Sequence, residues 1–315
     1  MTRRMSIDRL LPACCFTSPH RSPRKVRWPA ALAAFALVFL LAVFLLPLPG
    51  ARGATGPAKA ELVVHFIDVG QGDSILVQTP SGKTMLIDGG PVEASERLLS
   101  YLKTSGVERI DVLVATHPHA DHIGGLQEVL RTFPVGLVVD PGKVHTTATY
   151  ERFLTLVDQK DIPFRLGRAG DEITLDSELE VDVLNPAEPL PESVNDCSVV
   201  IKISYGKVSF LLTADVEKEA ENAMLGRGAD LQATVLKVAH HGSRSSSSPW
   251  FLKKVKPRVA VIQAGSGNPY GHPHRVTILN LQDYTDKIYR TDRSGSIVVA
   301  SDGHTFTVKP ERGTP

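Results

Sequence analysis

The stretch Ala115-Thr-His-Pro-His-Ala-Asp-His-Ile-Gly-Gly125 constrains this chain more than any other. It places His117, His119, Asp121 and His122 within six positions. Before it runs Ile110–Ala115, apolar and β-branched, with the length and composition of a buried strand. After the Gly124-Gly125 pair, Leu126-Gln-Glu-Val-Leu130 reads as a helix. The four polar side chains therefore sit on a turn at the end of a strand, where loops carry chemistry. Imidazole and carboxylate are ligands for zinc-like metals. In extended chain His117 and His119 point to one side and can grip one ion. Asp121 and His122 follow in a turn and can reach a second. Two such ions a few ångströms apart are a known device for splitting phosphate esters or amides. A metal-free surface loop has no need of three imidazoles and a carboxylate at this spacing.

The 315 residues suit one large domain or two small ones. Charge is almost balanced, 35 basic against 34 acidic residues, so no global field announces a polyanionic partner. Three cysteines, Cys14, Cys15 and Cys197, make no disulfide framework. Residues 1–28 hold Arg3, Arg4, Arg9, Arg21, Arg24, Lys25 and Arg27 against Asp8 alone. Ala30–Leu46 follows as seventeen apolar residues without a charge. That is the short end of a membrane span and long for a signal-peptide core. The basic flank predicts a cytoplasmic N-terminus (1–28), an anchor or signal segment (29–49) and a Gly/Pro-bearing linker (50–60). The domain that carries the His/Asp loop then occupies 61–315. It is either membrane-anchored outside the cytoplasm or, if the leader is cleaved, secreted.

From Glu61 onward, strands are predicted at Leu62–Asp68, Ser74–Gln78, Thr84–Asp88, Val135–Val139, Ser198–Ser204, Val208–Thr213, Thr234–Ala239 and Val259–Gln263. Ile288–Arg290, Ile297–Ala300 and Thr305–Lys309 close the sheet. Helices are expected over Glu93–Ser105, Thr147–Gln159, Trp250–Val255 and His274–Thr285. Gly70-Gln-Gly-Asp73 allows a tight turn or a close backbone approach to a ligand. Asp88 and Asp215 both stand at strand ends; each also suits a turn or helix cap. Lys253, Lys254, Lys256 and Arg258 form either a solvated face or a basic rim for a phosphate backbone.

The motif His-x-His-x-Asp-His-x-Gly-Gly resembles the signature of the metallo-β-lactamase-fold hydrolases. Phe66–Ser74, Leu86-Ile-Asp-Gly-Gly90, His117–His122, Ala239-His-His-Gly-Ser243, Asn268-Pro-Tyr-Gly-His-Pro273 and Tyr289-Arg-Thr-Asp292 look like the C-terminal hydrolase domain of the ComEC competence family. The resemblance covers roughly residues 61–309 in the right order. It implies an αββα four-layer sandwich with the site along one edge, and two divalent ions held by His117, His119, Asp121, His122, Asp215 and His241. Asp215 would bridge the ions and Asp88 would support the cluster by hydrogen bonding. His241 is favoured over His240, which would pack beneath or nearby. Where the family generally supplies a further His, this chain has Ser193-Val-Asn-Asp-Cys-Ser198, so Asn195 or Asp196 would stand in with an oxygen. Harder ligands move the preference from strict zinc toward manganese or magnesium. Ala214 replaces the usual Gly before Asp215.

The resemblance further implies a metal-dependent phosphodiester hydrolase, a nuclease acting on DNA outside the cytoplasmic membrane. Asp121 would orient the attacking water, and His272 and Ser243 would stabilise the developing charge. No organic cofactor is expected. ComEC channels have many membrane spans, and with one apolar segment here the transport role is not carried over. The alternatives are a phosphodiesterase on wall or lipid phosphates, a lactamase-like amidase, a non-catalytic DNA-binding module with a relict site, or a structural surface protein.

Overall fold

The computed structural model describes residues 61–313. The expected basic N-terminus, apolar segment and linker lie outside the described residues. Among the described residues no helix is long and apolar enough to cross a membrane.

The first half of the domain comprises β1 (Leu62–Phe66), β2 (Ile75–Gln78), β3 (Thr84–Ile87), α1 (Ser95–Thr104), β4 (Val112–Val114), α2 (Ala120–Ile123), α3 (Leu126–Thr132), β5 (Val138–Asp140), α4 (Ala148–Gln159) and β6 (Phe164–Leu166). The second half follows with β7 (Glu180–Asn185), β8 (Val200–Tyr205), β9 (Val208–Leu212), α5 (Lys218–Gly226), β10 (Val235–Lys237), α6 (Pro249–Val255), β11 (Val259–Ile262), α7 (Arg275–Gln282) and β12 (Ile288–Arg290). It ends with α8 (Thr291–Ser294), β13 (Ile297–Ser301) and β14 (Phe306–Pro310).

Two mixed sheets result among the described residues, ordered β14-β13-β1-β2-β3-β4-β5-β6 and β12-β11-β10-β9-β8-β7. β3 to β6 are parallel, as are β9 to β12. Alternation along each strand divides the apolar residues between layers. Val64, Ile75, Met85, Val114, Ile201, Phe210 and Val261 fill the space between the sheets. Leu76, Leu86 and Leu113 face the other way, onto α1, α3 and α4. Leu211, Leu236 and Ala260 likewise meet α5, α6 and α7. The expected αββα sandwich is therefore formed by side chains buried on both faces of short strands, as helix-covered parallel sheets require.

The structure corrects one topological expectation. The last three strands do not close one sheet. β12 ends the six-stranded sheet, while β13 and β14 extend the eight-stranded one beyond β1. The short α8 makes that crossing, held by the Thr291 hydroxyl, which accepts from Ala264 N–H at 2.9 Å. Local hydropathy cannot show this, because all three strands have similar apolar content.

Asp140 ends β5 fully buried. Its Oδ1 accepts from Gly142 N–H at 2.6 Å and Tyr150 O–H at 3.1 Å, and its Oδ2 has no partner. Burial dominates and lifts its pKa to about 6. A carboxyl raised in the folded state contributes stability below its ordinary pKa that is lost as pH climbs through about 6. Replacing Asp140 by Asn keeps the two acceptor bonds and removes the ionisation. Urea denaturation at pH 4.5 and 7.5 should show the wild type losing roughly 2 kcal/mol more than Asp140→Asn over that interval. Equal losses would mean the carboxylate is not strained by burial.

Candidate metal centre

Strand ends bring the polar residues together, and glycines let the loops touch. His117 and His119 leave β4 through Ala115-Thr116, and α2 carries Asp121 and His122. Asp73 N–H donates to the Asp121 carbonyl at 3.3 Å. A Cβ on Gly72 would lie 2.1 Å from that same carbonyl oxygen, so only glycine permits the approach. The Gly70–Asp73 turn thus makes its close approach to the backbone of the metal loop and not to a ligand. Gly125 has the same role against Gly89, where a Cβ would sit 2.2 Å from the carbonyl oxygen.

Asp215 follows β9, and His240 and His241 follow β10 on a 3-10 turn. Asp88, Ala214, His240 and His241 all have left-handed φ, between 47° and 57°. Such conformations cost non-glycine residues about 1–2 kcal/mol each. Here they turn side chains from three strand ends inward, and strain of this kind collects at functional sites. The replacement of glycine by Ala214 leaves the turn intact, at φ 47°.

Asp121, His122, Asp215 and His241 each offer a ligand atom within 4.8 Å of the others. His122 Nε2 and His241 Nε2 lie 3.2 and 3.3 Å from the same Asp215 oxygen, and His241 Nε2 lies 3.4 Å from Asp121 Oδ2. Both ring nitrogens are buried and neither makes a well-aligned hydrogen bond. The opposite nitrogens are fixed: His122 Nδ1 by Asp88 Oδ2 at 2.7 Å, and His241 Nδ1 by the Gln263 carbonyl at 2.9 Å. This anchoring leaves Nε2 free to coordinate. His117 packs its ring 4.1 Å from that of His122, and its Nε2 lies 3.0 Å from His119 Nδ1. Asp88 also accepts from Thr116 N–H at 2.8 Å and Thr116 O–H at 2.6 Å, which holds the start of the loop.

The electrostatics fit a cation. Burial opposes charge on His122, but Asp215, Asp88 and Asp121 outweigh it and raise its pKa well above the ordinary value. His241 is raised likewise, against its own burial, by Asp215, Asp121 and Asp73. In return Asp215 is held well below the carboxylate range, despite burial, by His241 and His122, and Asp121 falls to about 2. A divalent ion bound there replaces those imidazolium protons. Burial, with the neighbouring His122, keeps His117 well below the usual range, and burial lowers His119 as well. Both therefore present the neutral form that coordinates metals. Orphaned buried nitrogens facing shared carboxylate oxygens are what divalent ions satisfy, so the residues present fit metal binding.

A cleft of about 320 Å³ opens over the cluster, lined by His119, Asp121, Asn195, Asp215, His241 and His272 among others. Asn195 Oδ1 is buried there without a partner, at the position where an imidazole was missing. Asp196 faces away and accepts from Glu217 and Ala220 N–H at 2.8 and 3.3 Å, at the start of α5. His240 lies nearby rather than beneath. It lines the cleft wall and binds Glu217 Oε1 at 3.1 Å through Nδ1. His272 Nδ1 is buried without a partner, and burial with His241, His240 and His274 lowers its pKa to about 4. Ser243 is not on the cleft wall; its Oγ meets Ser245 Oγ at 2.9 Å.

Two residues escaped the sequence reading. Lys237 is completely buried and its Nζ contacts Asp73 Oδ2, the Ala214 carbonyl at 2.9 Å and Asp215 Oδ1 at 3.8 Å. A lone lysine in the apolar strand Thr234-Val-Leu-Lys-Val238 was its signal, since a charge is buried only when paired. Asp73, likewise buried, lies 3.4 Å from His241 Nδ1. It was visible in the sequence only as the end of a glycine turn.

Fold and site together define a metallohydrolase of the metallo-beta-lactamase superfamily. The profile of that superfamily matches residues 67–266, and the chain belongs to it. The chain is also similar to competence proteins. It is 32% identical to ComE operon protein 3 of Bacillus subtilis (strain 168), over 81% of this chain and 35% of that protein. It is 30% identical to competence protein ComA of Neisseria gonorrhoeae, over 75% of this chain and 32% of that one. The chain thus spans about a third of the length of these relatives. Among solved structures, an E377D mutant of the CmlA beta-hydroxylase shares the fold, with TM-score 0.50 and 16% identity over 85% of this chain and 60% of that one.

Removing His122 should abolish tight divalent-metal binding at the four-residue cluster, read by titration calorimetry with zinc and manganese. Asp88→Ala should weaken it about 10- to 100-fold, because the His122 ring loses its anchor. Unchanged affinity in both variants would show that these side chains do not hold an ion.

Proposed function

We propose that this protein is a metal-dependent phosphodiester hydrolase, a nuclease that acts on DNA outside the cytoplasmic membrane in a process linked to DNA uptake. The convergence of His122 Nε2 and His241 Nε2 on one Asp215 oxygen, at 3.2 and 3.3 Å, carries the metal chemistry. The His117–His119 pair beside it supports a second ion. Asp121, His122, Asp215 and His241 would hold one divalent ion and His117 with His119 a second, and these would supply Lewis acidity for activating a water.

The chain's own residues do the rest. Asp121, partly exposed on the cleft and ionised, orients the attacking water. His272 donates a hydrogen bond to a phosphate oxygen from across the cleft. Asn195 brings an oxygen where an imidazole would favour zinc, which supports manganese or magnesium as well as zinc. Ser243, outside the cleft lining, acts on that wall through Ser245, whose Oγ donates to Glu217 Oε1 at 2.7 Å. The DNA substrate is supported by the similarity to a protein named for competence, ComA of Neisseria gonorrhoeae, and by the resemblance of the motifs to the ComEC family. The extracytoplasmic location rests on the basic and apolar segments before residue 50.

The metal-reconstituted protein should cut labelled single- or double-stranded DNA with zinc, manganese or magnesium, and leave nitrocefin intact. Asp121→Ala should lower the rate at least about 100-fold. Turnover of bis(p-nitrophenyl) phosphate or nitrocefin without any cleavage of DNA would overturn the nuclease assignment.

A further inference from the structure

The basic residues singled out in the sequence do not border the metal cleft. The metal ligands stand at the C-terminal ends of β9 and β10, whereas Lys256 and Arg258 precede β11 and Lys207 precedes β9. These parallel strands thus carry metal ligands at one end and lysines at the other. α6 connects the two ends, because it leads from the His240–Gly242 turn back to the start of β11.

Along that helix runs a groove of about 480 Å³, lined by Trp250, Lys253, Lys254 and Lys256. It shares Asp230, Gln232 and Lys256 with a second depression, which adds Lys207 and Arg258. All six of these side chains are exposed. Asp230 is the one acid lining either depression, and its carboxylate is already bound to Lys202 Nζ. In a chain of net charge +1 this is a strong local concentration of cations. Trp250 is 71% exposed, although its neighbours Phe251 and Leu252 are fully buried. Lys253 Nζ lies 5.5 Å from the centre of its ring.

We propose that this groove is a binding track for single-stranded nucleic acid, separate from the metal cleft. Lysines and an arginine along a concave path match a phosphate backbone. A tryptophan face held open beside them matches an unpaired base, because every base has a stacking surface. A duplex keeps its bases stacked and offers nothing to Trp250. A bilayer is flat and needs several apolar side chains, but Trp250 is the one large exposed apolar residue lining the groove. The track follows α6 for roughly 10 Å, from the end of the sheet that holds the metals toward the other. It does not depend on what the cleft hydrolyses.

The test is fluorescence anisotropy of a labelled twelve-nucleotide oligothymidylate with the full-length protein in chelator, so that no cleavage intervenes. Trp250→Ala should weaken binding about 5- to 100-fold. The pair Lys253→Glu and Lys256→Glu should weaken it at least about tenfold and reduce the slope of log Kd against log salt by about 1.4. Melting temperature and bis(p-nitrophenyl) phosphate turnover with metal should stay unchanged in both, since the altered side chains are exposed and far from the cleft. Binding unaffected in both variants overturns the proposal. So does equal affinity for a twelve-base-pair duplex with Trp250→Ala silent, or binding to phosphatidylserine vesicles that the variants abolish while oligothymidylate binding persists. Groove binding without DNA cleavage would sink the nuclease assignment and leave this one standing.

Discussion

Asp73, Asp88 and Asp215 lie at one buried corner of the sandwich, each at most 2% exposed, with Asp121 beside them. Carboxylates at such distances repel strongly once water is excluded, so the corner is stable only with compensating positive charge. Lys237 Nζ reaches Asp73 and Asp215 from inside β10. The rest must come from protonated His122 and His241 or from bound cations. The architecture of the domain follows from this need. Each strand end that reaches the corner delivers either an acid or a base, and left-handed backbone at Asp88, Ala214, His240 and His241 aims them.

The same arrangement accounts for how the site is held still. The two imidazoles at the centre of the cluster, His122 and His241, do not depend on their own rotamers alone. Asp88 ties His122 to Thr116, the Gln263 carbonyl fixes His241, and Gln263 in turn donates to the carbonyls of Ile67 and Ser74 at 3.0 and 2.9 Å. These contacts join the two sheets through the site. A ligand shell anchored in both halves of a sandwich keeps its geometry without the metal, which is what preorganisation requires. The shared fold of the CmlA beta-hydroxylase shows that such a frame does not by itself choose the chemistry. What sets the cleft of this chain apart is its lining, where Asn195 Oδ1 and His272 Nδ1 are buried without a hydrogen-bond partner.

Much of the site was legible in the linear order of residues. His117, His119, Asp121 and His122 are close in sequence, so a turn suffices to bring them together. Asp215 and His241 were legible through their place after apolar strands, where parallel sheets put their functional groups. Asp196 and Asn195 could not be separated that way. They are adjacent, both carry oxygen, and only the course of the 3-10 turn before β8 sends one to the cleft and the other to the start of α5. Whether His240 lies beneath the cluster or beside it was open for the same reason: within a tight turn one residue changes the direction of a side chain by a large angle.

The sequence by itself determined the layers, the metal loop and the chemical class of the ligands, because periodicity and local spacing act over a few residues. Only the tertiary structure decided that β13 and β14 cross to the other sheet, that Lys237 reaches Asp73 from the opposite sheet, and that the lysines in and after α6 do not line the metal cleft. These depend on contacts between residues far apart in the chain, whose pairing is set by packing of whole sheets and leaves no local pattern to read.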